Sequence, residues 1–358
     1  MLPIRYTRPL RVCHSCNPVH RYPRLQISCD QVKQHFNLIW EGWHLACLFL
    51  STAMDLQRTI RRPVSLEGIG LHSGEAVRIT AEPAGADTGI VFRAADGTLI
   101  PANADHVVDS NSATSVGAFG VRVRTIEHLM AAAAALGIDN MLVDVDGPEV
   151  PAADGSARPF VDLLRSAGRV SLGAPRRPIT LAEPIRVGTE GRWLEVLPAD
   201  SLRISYTLDN SHPIIGLQAA TFAISEEVFC EELAAARTYG FLRDVPAMRQ
   251  NGLARGGSLE NAIVVGKRSV LNDRLRFPDE FVRHKILDLV GDLFLLGRPL
   301  RAHVVGRNAG HALNHELVSA IQTALAADRR RAAMRAARPV RAAVATTGDG
   351  FLPGVAAL

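Results

Sequence analysis

Three short stretches of the chain hold side chains whose types and spacing suit hydrolytic metal chemistry. In FVRHKILDLVGDLF (281–294), His284, Asp288 and Asp292 recur every four residues in a mostly apolar run. Side chains at that spacing stack on one face of a helix. A His/Asp pair at i and i+4 reaches one ion without moving the backbone, the logic by which two histidines of an HExxH helix share a zinc. The competing reading is an exposed helix stripe with a weak ion pair, the commoner fate of an isolated HxxxD. Glu127-His128 opens an Ala/Leu-rich stretch. Its histidine offers a third ligand, and its carboxylate reaches a metal's water without ligating. Three protein ligands leave a fourth position for water, whose pKa zinc lowers to about 7, and an adjacent carboxylate serves as general base. Alone, the pair is only a glutamate early in a helix. In GHALN (310–314), His311 in a Gly-flanked turn is free to protonate a leaving group, with Asp292 a candidate to orient it. Alone, that is a common loop.

The elements that must position these residues read as follows. TIEHLMAAAAAL (125–136) predicts a helix capped by Thr125 and stopped by Gly137. Strand-like runs at 76–80 and 89–93 precede it, and 141–146 alternates like a half-buried strand. A second helix is expected over 156–167, with Pro159 in its first turn and Gly168 closing it. GAPRRP (173–178) reads as a linker. Beyond it the order repeats: strands at 193–197, 202–208 and 219–224, then a helix from Ser225 to about 236, with Ser225 as cap and Glu226 and Glu227 in its first turn. A strand-like run at 262–265 follows, then a long helix over 278–296 stopped by Gly297. Strands before helices, twice over, predict two α+β domains, 54–173 and 178–328, rather than a doubly wound sheet. No structure is expected beyond about 328, where the chain turns Ala/Arg-rich.

Composition narrows the function classes. The 358 residues are 47% hydrophobic and 21% charged, ordinary for a globular protein, and no stretch approaches the ~18 consecutive apolar residues of a membrane span. The net charge of +4 is misleading. Six basic residues against two acids lie in 1–53, and six against one in 329–358, which leaves 28 basic and 33 acidic residues in the body, a net −5. The basic ends read as solvated tails rather than a nucleic-acid surface, and no nucleic-acid partner is expected. Four of the five cysteines precede residue 54, so no disulfide framework supports the body, which suits a reducing cytoplasm. The single CxxC at Cys13–Cys16 is weak evidence for a metal site. Residues 1–53 show no sustained period and read as an extension, with Met54 the expected start.

Taken together, GIGLHSG (68–74), TIEHLMAAAAALGIDN (125–140), PEVPAADGSARPFV (148–161), ARTYGFLRD (236–244), NDRLRFPDEFVRHKILDLVGDLF (272–294) and GHALN (310–314) resemble the UDP-3-O-acyl-N-acetylglucosamine deacetylases, the zinc amidases of bacterial lipid A synthesis. The resemblance covers about 59–325. It implies that His128, His284 and Asp288 ligate zinc, with Fe²⁺ also acceptable to that donor set. It implies Glu127 as general base, His311 as general acid with Asp292 behind it, and Thr238 polarising the acetamide carbonyl. Lys285, Tyr239 and His72 are expected at the substrate; family members usually carry Phe where Tyr239 stands. The implied fold is two similar domains, each a β-sheet layered with helices, with the active site between them, and a strand–helix insert near 253–270 forming an apolar passage for the acyl chain. A cytoplasmic monomer releasing acetate from UDP-3-O-(3-hydroxyacyl)-N-acetylglucosamine is therefore expected. Two rivals stand beside it. A zinc-stabilised binding protein would need neither Glu127 nor a free His311. A surface-binding protein driven by its basic ends would lose function on their deletion.

Overall fold

The computed structural model describes residues 55–336. The expected extension with its four cysteines, and the chain beyond 336, lie outside the described residues. Two mixed β-sheets organise the rest, each built from short alternating runs. In Met141–Val145 the residues Met141, Val143 and Val145 are buried while Leu142 and Asp144 are half-exposed, the period of two that a strand imposes. The first sheet has the spatial order Val64–Ile69, Ala76–Pro83, Met141–Val145, Ile90–Ala94, Leu99–Pro101. The second runs Ile185–Thr189, Arg192–Pro198, Leu300–Arg307, Arg203–Asp209, Leu217–Ala223, with Ile179–Thr180 also beside Leu300–Arg307. Counting strands along the chain within each of these five-strand paths, both sheets read 1-2-5-3-4. In both, strand 5 is antiparallel to strand 2 and parallel to strand 3. The α+β class expected from the sequence is the class found.

The helices are α1 (Glu127–Ala135), α2 (Arg158–Ala167), α3 (Glu226–Val228, continuing as a π-helical turn Phe229–Leu233), α4 (Val245–Gln250), α5 (Glu280–Leu293) and α6 (His311–Ala336). The first half places α1 between its strands 4 and 5, the second places α3, α4 and α5 there, and each adds one helix after strand 5; α1 and α5 are the helices that lead directly into strand 5. Thus α1 and α5 hold equivalent places. Both are followed by a glycine with left-handed backbone, Gly137 (φ 63°) and Gly297 (φ 69°), as helix stops require. The two helices pack directly on each other. A Cβ added at Gly291 of α5 would lie 2.1 Å from the Glu127 carbonyl oxygen of α1, so only glycine permits the crossing. Among the described residues no helix is long and apolar enough to cross a membrane.

The structure corrects local expectations in several places. Thr125 does not cap α1: it has φ +57°, and its hydroxyl donates instead to Glu149 Oε1 at 2.6 Å. The helix begins two residues later, at Glu127. A β-branched residue in the left-handed region is a true outlier. It is held by Glu149, a fully buried carboxylate that also accepts the backbone N–H groups of His72 (3.0 Å) and Ser73 (2.8 Å). Gly173 to Pro175 of the expected linker belong to a strand, Arg169–Pro175, which pairs with Leu56–Ile60. His311 stands in no turn but begins α6, which continues to Ala336 through residues expected to be unstructured. Near the expected insert, the parallel strands Tyr239–Phe241 and Ile263–Val265 enclose α4 in an arm whose helix precedes 253. By contrast, Ser225 does cap α3, its Oγ accepting the Val228 N–H at 3.1 Å.

Candidate active site

α1 brings Glu127 and His128 against the face of α5 that carries His284, Asp288 and Asp292. That face is not an exposed stripe: the three α5 residues are 2%, 2% and 0% exposed. His128, His284 and Asp288 converge so that one ligand atom of each lies within 4.8 Å of the others. Asp288 Oδ1 is 3.3 Å from His284 Nε2 and 3.5 Å from His128 Nε2, and the two rings meet edge to face at 5.1 Å. His284 Nδ1 donates to the Ala236 carbonyl at 3.0 Å, which spends its proton there and turns the Nε2 lone pair towards Asp288. Burial pushes the His284 imidazole down to about 3, so it is neutral. Asp288 Oδ1 is buried with no hydrogen-bond partner. A neutral imidazole and an unpartnered carboxylate oxygen, with a second imidazole beside them, form a donor set that suits a divalent cation.

The second carboxylate oxygen is occupied. Lys285 Nζ donates to Asp288 Oδ2 at 2.7 Å and lies 5.7 Å from the Tyr239 ring centroid. Burial opposes both charges. The attraction of the charged Lys285 nevertheless holds the Asp288 carboxyl well below the usual range, and that of Asp288 raises Lys285.

On the other side stand the candidate base and acid. Glu127 Oε2 accepts the Thr114 N–H at 3.0 Å, while Oε1 lies 4.0 Å from His311 Nε2, too far for a direct hydrogen bond. Burial pushes the Glu127 carboxyl up. His311 Nδ1 donates to Asp292 Oδ2 at 2.8 Å. Burial pulls His311 down, but the Asp292 charge and hydrogen bond outweigh it and raise the imidazole to about 9. Asp292 also accepts from Thr114 Oγ1 (2.6 Å) and Asn314 Nδ2 (2.8 Å).

Glu127, His128, His284, Lys285, Asp288 and His311 border a cavity of about 770 Å³, and Asp292, Thr114 and Asn314 stand behind that wall. Thr238, Tyr239 and His72 line it as well. Thr238 is fixed by its backbone, whose N–H donates to the Gly155 carbonyl and whose carbonyl accepts from Ile263 N, each at 2.8 Å. The Tyr239 ring packs edge to face on Phe281 at 5.0 Å. His72 Nδ1 accepts the Ala254 N–H at 3.3 Å, leaving Nε2 buried without a partner, and burial lowers its pKa. Towards α4 the wall turns apolar, with Phe241, Leu242, Val245, Met248, Leu259 and Leu271.

Sequence reasoning missed Thr114, His315 and Glu149. Thr114 and Glu149 carry no local pattern. His315 had a signal, because it lies four residues after His311 and so shares its helix face.

A family model described as UDP-3-O-acyl N-acetylglycosamine deacetylase matches residues 57–323. The UDP-3-O-acyl-N-acetylglucosamine deacetylase of Myxococcus xanthus is 50% identical over 271 residues, covering 75% of this chain and 86% of that protein. The protein of the same name from Acidithiobacillus ferrooxidans is 48% identical, covering 75% and 90%. That from Leptospira biflexa is 45% identical, with the same coverage of both.

Proposed function

Because the chain belongs to the UDP-3-O-acyl N-acetylglycosamine deacetylase family, we propose that it hydrolyses the acetamide of UDP-3-O-(3-hydroxyacyl)-N-acetylglucosamine, releasing acetate in the committed step of lipid A biosynthesis. One observation carries the reading. The orphaned Asp288 Oδ1, 3.3 Å from His284 Nε2 and 3.5 Å from His128 Nε2, shares one cavity with a carboxylate, Glu127, and a protonated imidazole, His311.

His128, His284 and Asp288 are assigned as ligands of Zn²⁺, a donor set that Fe²⁺ also accepts. Held by these three residues, a divalent ion would supply Lewis acidity for the amide carbonyl and for a water near neutral pH. Glu127, held through Oε2, takes the proton of the attacking water on Oε1. His311 gives the proton on Nε2 to the departing amine, and Asp292 keeps that imidazole charged and oriented. Thr238 is assigned the hydroxyl that donates to the carbonyl oxygen as charge grows on it, a role its place on the cavity wall supports. Lys285, Tyr239 and His72 bind polar parts of the substrate, and the apolar arm holds the acyl chain. Two domains, 54–173 and 178–328, are part of this reading, supported by a sheet confined to each. A site assembled within one chain supports a monomer, and a nucleotide-activated sugar substrate supports a cytoplasmic location.

The test is acetate release from that substrate. Glu127→Ala should lower kcat by about 10²–10⁴, and a chelator should abolish turnover until Zn²⁺ or Fe²⁺ is returned. An active Glu127→Ala enzyme, or indifference to chelation, overturns the mechanism.

A further inference from the structure

Thr114 touches both the candidate base and the partner of the candidate acid. It is fully buried, and its backbone N–H donates to Glu127 Oε2 at 3.0 Å. Its hydroxyl lies 2.6 Å from Asp292 Oδ1, 3.0 Å from His315 Nε2 and 3.2 Å from His311 Nδ1. Proton accounting gives these contacts their direction. An ionised Asp292 only accepts, so the single hydroxyl proton of Thr114 goes to it, a short bond of the charge-assisted kind. Oγ1 then has only lone pairs to offer, and His315 must donate from Nε2. The Nδ1 of His315 is buried without a partner, as a neutral ring with its proton on Nε2 requires.

Every oxygen of the two carboxylates is thereby assigned. Asp292 Oδ1 belongs to Thr114, and Oδ2 to His311 and Asn314, each at 2.8 Å. Glu127 Oε2 belongs to the Thr114 amide, which leaves Oε1 to face His311 Nε2 across 4.0 Å. One residue thus holds both walls of the space in which a proton must be taken and another given. Its neighbours strengthen the hold. The Thr114 carbonyl accepts the N–H of Ile126, the residue before Glu127, at 3.3 Å, and Asn314 and His315 come from the same turn of α6.

We propose that Thr114, supported by His315, is a positioning residue for the deacetylation, setting the separation of Glu127 and His311. This rests on the reaction assigned above. The alternative is that Thr114 merely fills buried space. The two roles rank a pair of variants oppositely. Thr114→Val keeps the shape and the backbone N–H but loses the hydroxyl; Thr114→Ser keeps the hydroxyl and loses a methyl.

Kinetics on the full-length, metal-loaded protein decide between them. Loss of a group that orients a reacting residue typically costs about 10–100-fold. Thr114→Val should lower kcat by that factor while KM moves less than about threefold and metal content stays at the wild-type level, because the missing contact acts on the reacting groups rather than on binding. Thr114→Ser should recover kcat to within about threefold of wild type. A Thr114→Val enzyme with wild-type kcat, or a Thr114→Ser enzyme slower than Thr114→Val, overturns the proposal. If Thr114→Val does not fold, His315→Leu and His315→Gln take its place, since the Gln amide still donates to Oγ1. His315→Leu should then lose kcat and His315→Gln regain it, and equal, wild-type rates for both overturn the proposal. Absence of turnover in the wild type defeats the deacetylase reading itself. Wild-type turnover with a dead Glu127→Ala and an unaffected Thr114→Val defeats this inference alone.

Discussion

His284 and His311 are both buried beside the cavity, and the charge of each depends on what it faces. His284 faces a carbonyl on one nitrogen and is driven neutral, to about 3. His311 faces Asp292 and is held protonated to about 9, above its ordinary 6.5. A group whose folded pKa is raised contributes stability that is fully present below its unfolded pKa and lost as pH rises through the folded value. The metal-free protein should therefore lose stability between about pH 6.5 and 9, at about 1.4 kcal/mol for each pH unit separating the two values. Urea midpoints at the two ends of that window, for wild type and His311→Gln, check this: the fall should shrink markedly in the variant, and an identical fall in both refutes the assignment. At this scale the sequence is informative about residues that sit in short motifs. Glu127-His128, HxxxD and GHALN are local, so their chemistry is visible without any fold. Thr114 meets Asp292 and His315 across 178 and 201 residues, and no spacing along the chain announces such a meeting.

Between elements, the decisive contact is the crossing of α1 and α5 at Gly291. Its missing side chain lets the helix bearing His284 and Asp288 approach the Glu127 backbone. Gly291→Ala must push the helices apart or distort one. Overpacking of this kind typically costs about 1–3 kcal/mol. The fold should survive with a lower thermal midpoint, and metal affinity should drop more than a remote surface substitution of equal stability cost would produce. Equilibrium dialysis against zinc tests it, and unchanged affinity rules the crossing out as a determinant of the site. Strands and most helix ends are legible because alternation and stop glycines are local signals. α6 is not, although Leu317, Val318 and Ile321 are buried with helical spacing. Gly310 looks like a turn, and the Ala/Arg-rich continuation, exposed over 328–334, offers no apolar stripe. Thr125 misleads for a different reason: its hydroxyl serves Glu149 from a distant loop, which a capping rule based on neighbours cannot foresee.

Across the whole molecule, one topology occurs twice, and the candidate ligands sit on equivalent helices of its two copies: His128 on α1, His284 and Asp288 on α5. An ion bound there ties the two copies together and stabilises the fold as a whole. A ligand at about 1,000 times its dissociation constant contributes about 4 kcal/mol, worth roughly 10 °C of thermal midpoint for a chain of this size. Chelation should lower the wild-type midpoint by that order and leave Asp288→Asn nearly unmoved; a chelator-insensitive wild type would falsify the coupling. The repeat is foreshadowed by strands preceding helices twice, whereas the shared 1-2-5-3-4 order depends on long-range pairing and has no local signal.

The left-handed Thr125 carries a consequence for anyone who selects variants of this chain. A β-branched side chain at φ +57° stores about 1–3 kcal/mol of backbone strain, and glycine at that position would release it. The same exchange removes the hydroxyl that ties the entrance of α1 to Glu149 and, through that carboxylate, to the His72 loop. The released strain and the lost hydrogen bond to a buried carboxylate are each about 1–3 kcal/mol, so a screen on heat resistance alone is nearly blind to the exchange. Only a screen that also scores metal affinity or turnover can read the threonine's hold on the entrance of the helix that carries Glu127 and His128.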